Sequence, residues 1–330
     1  MRNPGFQRLF RSTSQLYLMI VFLSVAFYSC KKEKINFTFL QLASGTSNDL
    51  NGIFFINDST GYVCGGSRYE KGDILKTYDG GFTWQDQSTF EMTKALYEIT
   101  FPFHDTGFAC GYDGKIFRTF DGGDQWQYFQ SQYYEPIHDV FMVSPDHGFS
   151  CGGNGYQSGY LLTTGDGGNS WLADTTETEY RSIYFFDDST GVLAGYGAIL
   201  RTTDGGKNWS YTDAQQDFFV SMNFVNDEVG YAAGYTGTIL KTTDGGQSWE
   251  RLRNPNLLYA EPLFFNQIIF QDQNTGYIIG ENGCFLKTAD GGNNWLQVSN
   301  APDGDWNGIA LVSGGGFICG KDGEIYRFLE

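Results

Sequence analysis

Proline and histidine are scarce in this chain, at 7 and 3 of its 330 residues. Positive charge is also short, with 21 Lys and Arg against 38 Asp and Glu. No stretch is rich in Ala, Leu and Glu together, which excludes an all-α architecture. The six cysteines never form Cys-x-x-Cys, so neither a thiol redox motif nor a zinc ribbon is indicated. His104, His138 and His147 are too few for a histidine-based metal centre, and no metal or cofactor is expected. Residues 1–29 carry three arginines and no acid; the rest holds 18 basic against 38 acidic residues, a net −20. Nucleic-acid affinity depends on cations that displace counterions, so nucleic acid is not an expected partner.

The composition is instead rich in Gly, 44 residues, and in aromatics, 17%. That combination points to many short strands joined by tight turns. Arg2, Arg8 and Arg11 precede an apolar run, Leu16–Ser29. The run is short for a membrane span, which needs about 20 residues, and fits a secretory signal. Phe27-Tyr28-Ser29-Cys30 resembles a bacterial lipobox. The resemblance implies that residues 1–29 are removed, that Cys30 is lipidated, and that residues 30–35 form a tether. The expected location is the cell envelope, at the outer membrane, with the lipid anchor as the only membrane contact.

Residues 36–330 are governed by a repeat. TYDGGFTW (Thr77–Trp84), TFDGGDQW (Thr119–Trp126), TGDGGNSW (Thr164–Trp171), TTDGGKNW (Thr202–Trp209), TTDGGQSW (Thr242–Trp249) and TADGGNNW (Thr288–Trp295) share one pattern. Their Trp residues lie 42, 45, 38, 40 and 46 positions apart. A period near 40 filled with short strands is what a β-propeller blade requires. Three strands before the DGG turn recur seven times, whereas the turn and its Trp recur six times. Asp305–Glu330 lacks a fourth strand, and Phe39-Leu40-Gln41-Leu42 aligns with Trp295-Leu296-Gln297-Val298. The expected fold is therefore an all-β, seven-bladed propeller of four-stranded blades, the last blade closed by the N-terminal strand. Cys64, Cys110, Cys151 and Cys319 share one second-strand register and are expected as free, buried thiols.

The DGG unit resembles the Asp-box, or BNR repeat, of sialidases, xyloglucan-degrading hydrolases and sortilin-type receptors. That resemblance implies an outer turn remote from any active site. Asp79, Asp121, Asp166, Asp204, Asp244 and Asp290, with Trp84, Trp126, Trp171, Trp209, Trp249 and Trp295, are thus read as structural. The fuller repeat, clearest in GYAAGYTGTILKTTDGGQSW (Gly230–Trp249), is similar to the photosystem II stability and assembly factors. The resemblance implies an exported, often lipidated propeller that acts as a non-enzymatic binding or assembly scaffold for a protein partner or envelope complex. A monomer is expected.

The binding face is expected where the connections vary, on the side of the 4→1 and 2→3 loops. Tyr133, Tyr134, Tyr180, Tyr259 and Trp306 are candidate anchors there, with His138 and Arg181. First-strand register also predicts a polar ring at the channel mouth: Asn51, Tyr97, His138, Arg181, Val220, Asn266 and Asn307. A second ring holds Glu98 and Asp139 on adjacent blades. Two carboxylates can serve as acid and base in glycoside hydrolysis, so a glycan-acting hydrolase is the alternative reading.

Overall fold

Each repeat alternates apolar and polar residues over runs too short for helices, and paired glycines at positive φ turn the chain after the third run. The computed structural model describes residues 34–155, 158–253 and 263–330. The expected signal segment, Cys30 and Tyr259 lie outside the described residues. The chain divides into Met1–Lys34 and Ile35–Glu330, and the second unit is described below.

After β1 (Thr38–Ala43), strands β2 (Leu50–Phe55), β3 (Gly61–Ser67), β4 (Lys71–Thr77) and β5 (Gln85–Asp86) form an antiparallel sheet in sequence order. Strands β6 (Leu96–Phe103), β7 (Thr106–Gly111), β8 (Lys115–Thr119) and β9 (Gln127–Gln130) repeat it. So do β10 (Ile137–Met142), β11 (Gly148–Gly153), β12 (Gly159–Thr164) and β13 (Leu172–Thr176).

The next sheet has six strands: β14 (Tyr180–Phe185), β15 (Gly191–Thr202), β16 (Ser210–Phe224), β17 (Gly230–Gly234), β18 (Ile239–Thr242) and β19 (Glu250–Arg253). Four-stranded order returns in β20 (Phe265–Phe270), β21 (Gly276–Gly280), β22 (Phe285–Thr288) and β23 (Leu296–Gln297). The last sheet is β24 (Trp306–Val312), β25 (Gly315–Gly320), β26 (Glu324–Leu329) and β1.

The described strands therefore form six sheets, which corrects the expectation of seven separate four-stranded blades. The cause is β16. No Pro or Gly interrupts Ser210–Phe224, and Thr212 and Ala214 turn inward where separate four-stranded blades would need a connection. Its first half pairs with β15, from Ser210 opposite Arg201 to Phe218 opposite Tyr196. Its second half pairs with β17, from Phe219 opposite Gly234 to Phe224 opposite Gly230. One strand thus ends one repeat and begins the next.

Closure by the N-terminus takes the expected form. β1 runs antiparallel to β26, with Thr38 opposite Leu329 and Ala43 opposite Glu324. Leu40 faces Arg327 as Leu296 faces Lys287, so both occupy the same place in an outer strand. The segment before β1 crosses to the neighbouring sheet, where Ile35 bridges Val298. Phe37 N–H donates to Asn300 Oδ1 at 3.0 Å, and Asn300 Nδ2 donates back to Phe37 O at 2.6 Å.

Sheets pack through aromatic pairs. Tyr62 lies flat on Phe101 (3.9 Å between centroids), Phe149 on Phe185 (3.7 Å), Tyr231 on Phe270 (3.5 Å) and Phe317 on Phe55 (4.2 Å). The box Trp of the same sheet meets the Phe edge-on, as Trp126 meets Phe101 at 6.2 Å and Trp295 meets Phe270 at 5.9 Å. Cys64, Cys110, Cys151, Cys284 and Cys319 are free and buried.

The last sheet has no box Trp, and Phe37 fills the corresponding space. Its ring stacks on Phe328 at 5.7 Å and meets Phe285 edge-on at 5.7 Å. Phe37→Ala is expected to lower unfolding free energy by about 3–4 kcal/mol, as deletion of a packed aromatic does. Urea unfolding checks this. A loss below about 1 kcal/mol would show that β1 closes the ring without this plug.

Candidate functional site

Every inner strand carries a bulge at the same place. Pairing skips one residue between Leu50 and Gly52, Leu96 and Glu98, Ile137 and Asp139, and Tyr180 and Ser182. It does so again between Phe219 and Ser221, Phe265 and Gln267, and Trp306 and Gly308. The skipped residues are Asn51, Tyr97, His138, Arg181, Val220, Asn266 and Asn307. A bulge turns two successive side chains toward one side. All seven skipped residues accordingly line a central channel of about 670 Å³, together with Glu98, Asp139, Ser182, Ser221 and Gln267.

Much of this lining holds the ring together. Asn266 Nδ2 donates to Trp306 O (3.0 Å), Asn307 Nδ2 to Leu50 O (3.0 Å) and Asn51 Nδ2 to Leu96 O (2.7 Å). One residue further on, side-chain oxygens accept backbone N–H groups of the next strand. Ile183 donates to Asp139 Oδ2 at 2.9 Å, Met222 to Ser182 Oγ at 3.2 Å, Ile268 to Ser221 Oγ at 3.2 Å and Ile309 to Gln267 Oε1 at 2.7 Å. Asp139 is thus one rung of a ladder whose other rungs are uncharged.

Where the asparagine series stops, the mouth changes character. His138 Nε2 lies 3.0 Å from Glu179 Oε1 and 3.2 Å from Gly153 O. Both neighbours are acceptors, which assigns the proton to Nε2. Arg181 Nε donates to the same Glu179 oxygen, and Gly155 N–H donates to the other at 2.5 Å. Burial pushes the His138 imidazole down to about 4, helped by the Arg181 charge, so the ring is neutral at pH 7. Burial also opposes ionisation of Glu179, but the His138 hydrogen bond and the Arg181 charge outweigh it and hold the carboxyl at about 2.

Around this cluster runs an aromatic and cationic arc. Tyr97 stacks on His138 (5.4 Å) and meets Tyr112 edge-on (6.5 Å), which meets Tyr69 edge-on (5.4 Å). The Arg68 guanidinium lies 4.8 Å from the Tyr112 ring centre, and that of Arg181 lies 5.0 Å from Phe218. A recess of about 330 Å³ opens between Arg68, Tyr97, His138, Glu179 and Arg181.

The expected anchors separate. Tyr180 and Trp306 are corrected to core residues, 3% and 0% exposed. They occupy the position just before the bulge of their inner strands, where Leu50, Leu96, Ile137, Phe219 and Phe265 are also buried. Trp306 Nε1 is satisfied by Pro302 O at 3.2 Å. Tyr133 is half-buried and stacks on Tyr160 at 5.3 Å, while Tyr134 is exposed at a left-handed φ of 52°. His138 and Arg181 meet at the mouth. Glu179, Tyr97, Tyr112 and Arg68 complete the cluster without having been singled out as anchors. Their signal was a Glu two residues before a ring Arg and the aromatic 2→3 loops.

The Asp-box residues form local turns. Thr77 Oγ1 donates to Asp79 Oδ1 at 2.9 Å and accepts from Gly81 N–H at 2.9 Å. Hydrogen bonds from the side chains of Thr83, Ser170 and Asn208, then from their amides, hold Asp79, Asp166 and Asp204 below the usual carboxylate range. Among the described residues no three His, Cys, Asp or Glu side chains gather in a metal-binding group.

The family model for the photosynthesis system II assembly factor YCF48 matches residues 119–218, 174–267 and 212–326. A structure of YCF48 bound to a D1 peptide superposes with a TM-score of 0.68 at 18% identity, covering 90% of this chain and 98% of that one. YCF48 from Cyanidioschyzon merolae gives 0.68 at 18% identity, covering 88% and 98%. The structure of U3-55K gives 0.69 at 10% identity, covering 88% and 98%. At these identities the superpositions establish the fold. No curated protein matches the chain.

The channel carboxylates imply a pH dependence. Desolvation raises the Glu98 carboxyl well above its ordinary range, and the nearby Asp139 charge raises it further. Desolvation likewise raises Asp139, against the pull of the Ile183 N–H. Glu98 therefore holds its proton more firmly folded than unfolded, and its contribution to stability falls as pH climbs through that window. Glu98→Gln removes the loss, so the melting-temperature gain of the variant is expected to grow from about pH 5 to about pH 8. A gain that stays constant would show that Glu98 ionises alike in both states.

Proposed function

Because this chain belongs to the photosynthesis system II assembly factor YCF48 family, we propose that it is a non-enzymatic scaffold that binds a protein partner at the mouth of its central channel. The observation that carries this reading is the contrast between the two halves of the inner ring. Asn266, Asn307 and Asn51 are consumed in holding strands together, whereas Tyr97, His138 and Arg181 form a stacked, charged recess facing outward. The relative solved with a D1 peptide supports a peptide segment as the ligand class. Tyr and Arg side chains give such contacts large area and hydrogen bonds together.

The non-enzymatic reading draws support from Asp139, whose carboxylate oxygen is engaged by the Ile183 amide as Ser182 and Ser221 engage theirs. That is a wall position with a structural partner. Export, lipidation at Cys30, residence at the outer membrane and a monomeric state complete the proposal. The first three rest on the Leu16–Ser29 run and the lipobox-like Cys30. No photosynthetic role is inferred.

Arg68→Ala combined with Tyr112→Ala is expected to reduce partner capture from membranes tenfold or more, since two anchors at about 1–2 kcal/mol each suffice. His104→Ala, on the exposed opposite face, should leave capture unchanged. Equal capture by the double variant and the parent would remove the mouth as the binding face. Glycan turnover abolished by Asp139→Asn would instead establish the hydrolase.

A further inference from the structure

On the Asp-box side, a cation of one repeat closes the seam to the next. Lys76 Nζ of β4 donates to Gly122 O at 2.5 Å, and Arg118 of β8 donates to Gly167 O at 2.7 Å. Arg201 Nε of β15 donates to Gly245 O at 3.1 Å, and Lys241 Nζ of β18 donates to Gly291 O at 3.2 Å. In each case the acceptor is the carbonyl of the first glycine in the following box. The equivalent residue of β12 is Thr163, which has neither amine nor guanidinium.

The effect is local and visible. Gly205 and Gly206, the box glycines opposite Thr163, are half-exposed, whereas the glycine pairs of the other five boxes are buried. On the β12 side the short threonine leaves a recess of about 420 Å³ lined by His147, Thr163, Asp166 and Leu172. Leu172 is 80% exposed beside it. His147 Nδ1 reaches Asp188 Oδ1 across the seam at 2.8 Å.

We propose that this open seam is a docking notch for a Lys or Arg side chain of a basic protein segment, which supplies in trans the hydrogen bond to the Gly205 carbonyl that four other seams make in cis. Charge sets the sign of the occupant. Hydrogen bonds from Ser170 hold Asp166 firmly ionised, Asp188 is exposed, and the chain from residue 30 onward carries a net −20. An anionic side chain is repelled there. The exposed Leu172 suits the aliphatic stem of a long cationic side chain, whose head then meets the carbonyl. The notch lies on the face opposite the channel mouth, so it does not depend on the reading of that mouth.

The test uses the full-length chain labelled with 15N and the peptide acetyl-Gly-Arg-Gly-amide as probe. Titration is expected to move the Gly205 and Gly206 amide signals and to leave the glycines of the other boxes in place. Thr163→Arg should fill the seam in cis, shift both signals without peptide, and weaken peptide binding at least tenfold. Ala289→Arg adds the same charge on another box and should leave binding intact. Thr163→Lys replaces the first variant if that one does not fold, and the parent's shift map decides if neither does. Signals that do not move, that move evenly over six boxes, or that still respond in Thr163→Arg overturn the proposal.

Discussion

Flat contact between a ring on one repeat's second strand and a phenylalanine on the next repeat's first strand, made at four seams, is the constraint on which the spacing of the ring depends. Phe317 on Phe55 joins the last sheet to the first in the same way as Tyr231 on Phe270 joins two interior sheets. At these seams a glycine near the start of the second strand leaves room for the phenylalanine. A Cβ on Gly61 would meet the Phe55 ring at 2.6 Å, and one on Gly276 would meet Phe270 at 2.6 Å. The box Trp then seals the edge of the same ring, and the Asp and Thr of the box hold the turn that carries the Trp. Phe37 does the corresponding work where the box is missing, which is why the N-terminal segment must cross from one sheet to its neighbour.

Once this contact fixes the spacing of sheets, function can vary only where it makes no demands. The bulged residue of each inner strand is such a place, because it faces the channel. On β20, β24 and β2 it is an asparagine tied to the next strand. On β6, β10 and β14 it is Tyr97, His138 and Arg181, which pair with one another's surroundings and with Glu179. The low pKa of His138 follows from that crowding, and it leaves the imidazole uncharged beside the Arg181–Glu179 ion pair near neutrality.

The repeat, the order of strands and the closing role of Leu40 and Gln41 were legible because each depends on local pattern. The six-stranded sheet was not, since the polar run Thr212–Asp217 reads as a loop until its inward Thr212 and Ala214 are seen against β15. Tyr180 and Trp306 were placed on the surface by their aromatic character. Their register, shared with Leu50, Leu96 and Ile137, gives the buried position instead. The ring of Asn51, Tyr97, His138 and their equivalents was readable from register. Glu179, Arg68 and Tyr112 were not readable as partners, because loops of three different repeats bring them together.

The central claim is that partner contact is made at the channel mouth by positions the repeat leaves free. A photo-crosslinking phenylalanine analogue placed at Tyr112 or Tyr134, and separately at the exposed outer-strand Tyr211, measures this directly on the intact chain in its own membranes. The account predicts a discrete adduct from the two mouth positions and none from Tyr211. An adduct from Tyr211 with silence at Tyr112 and Tyr134 would contradict it.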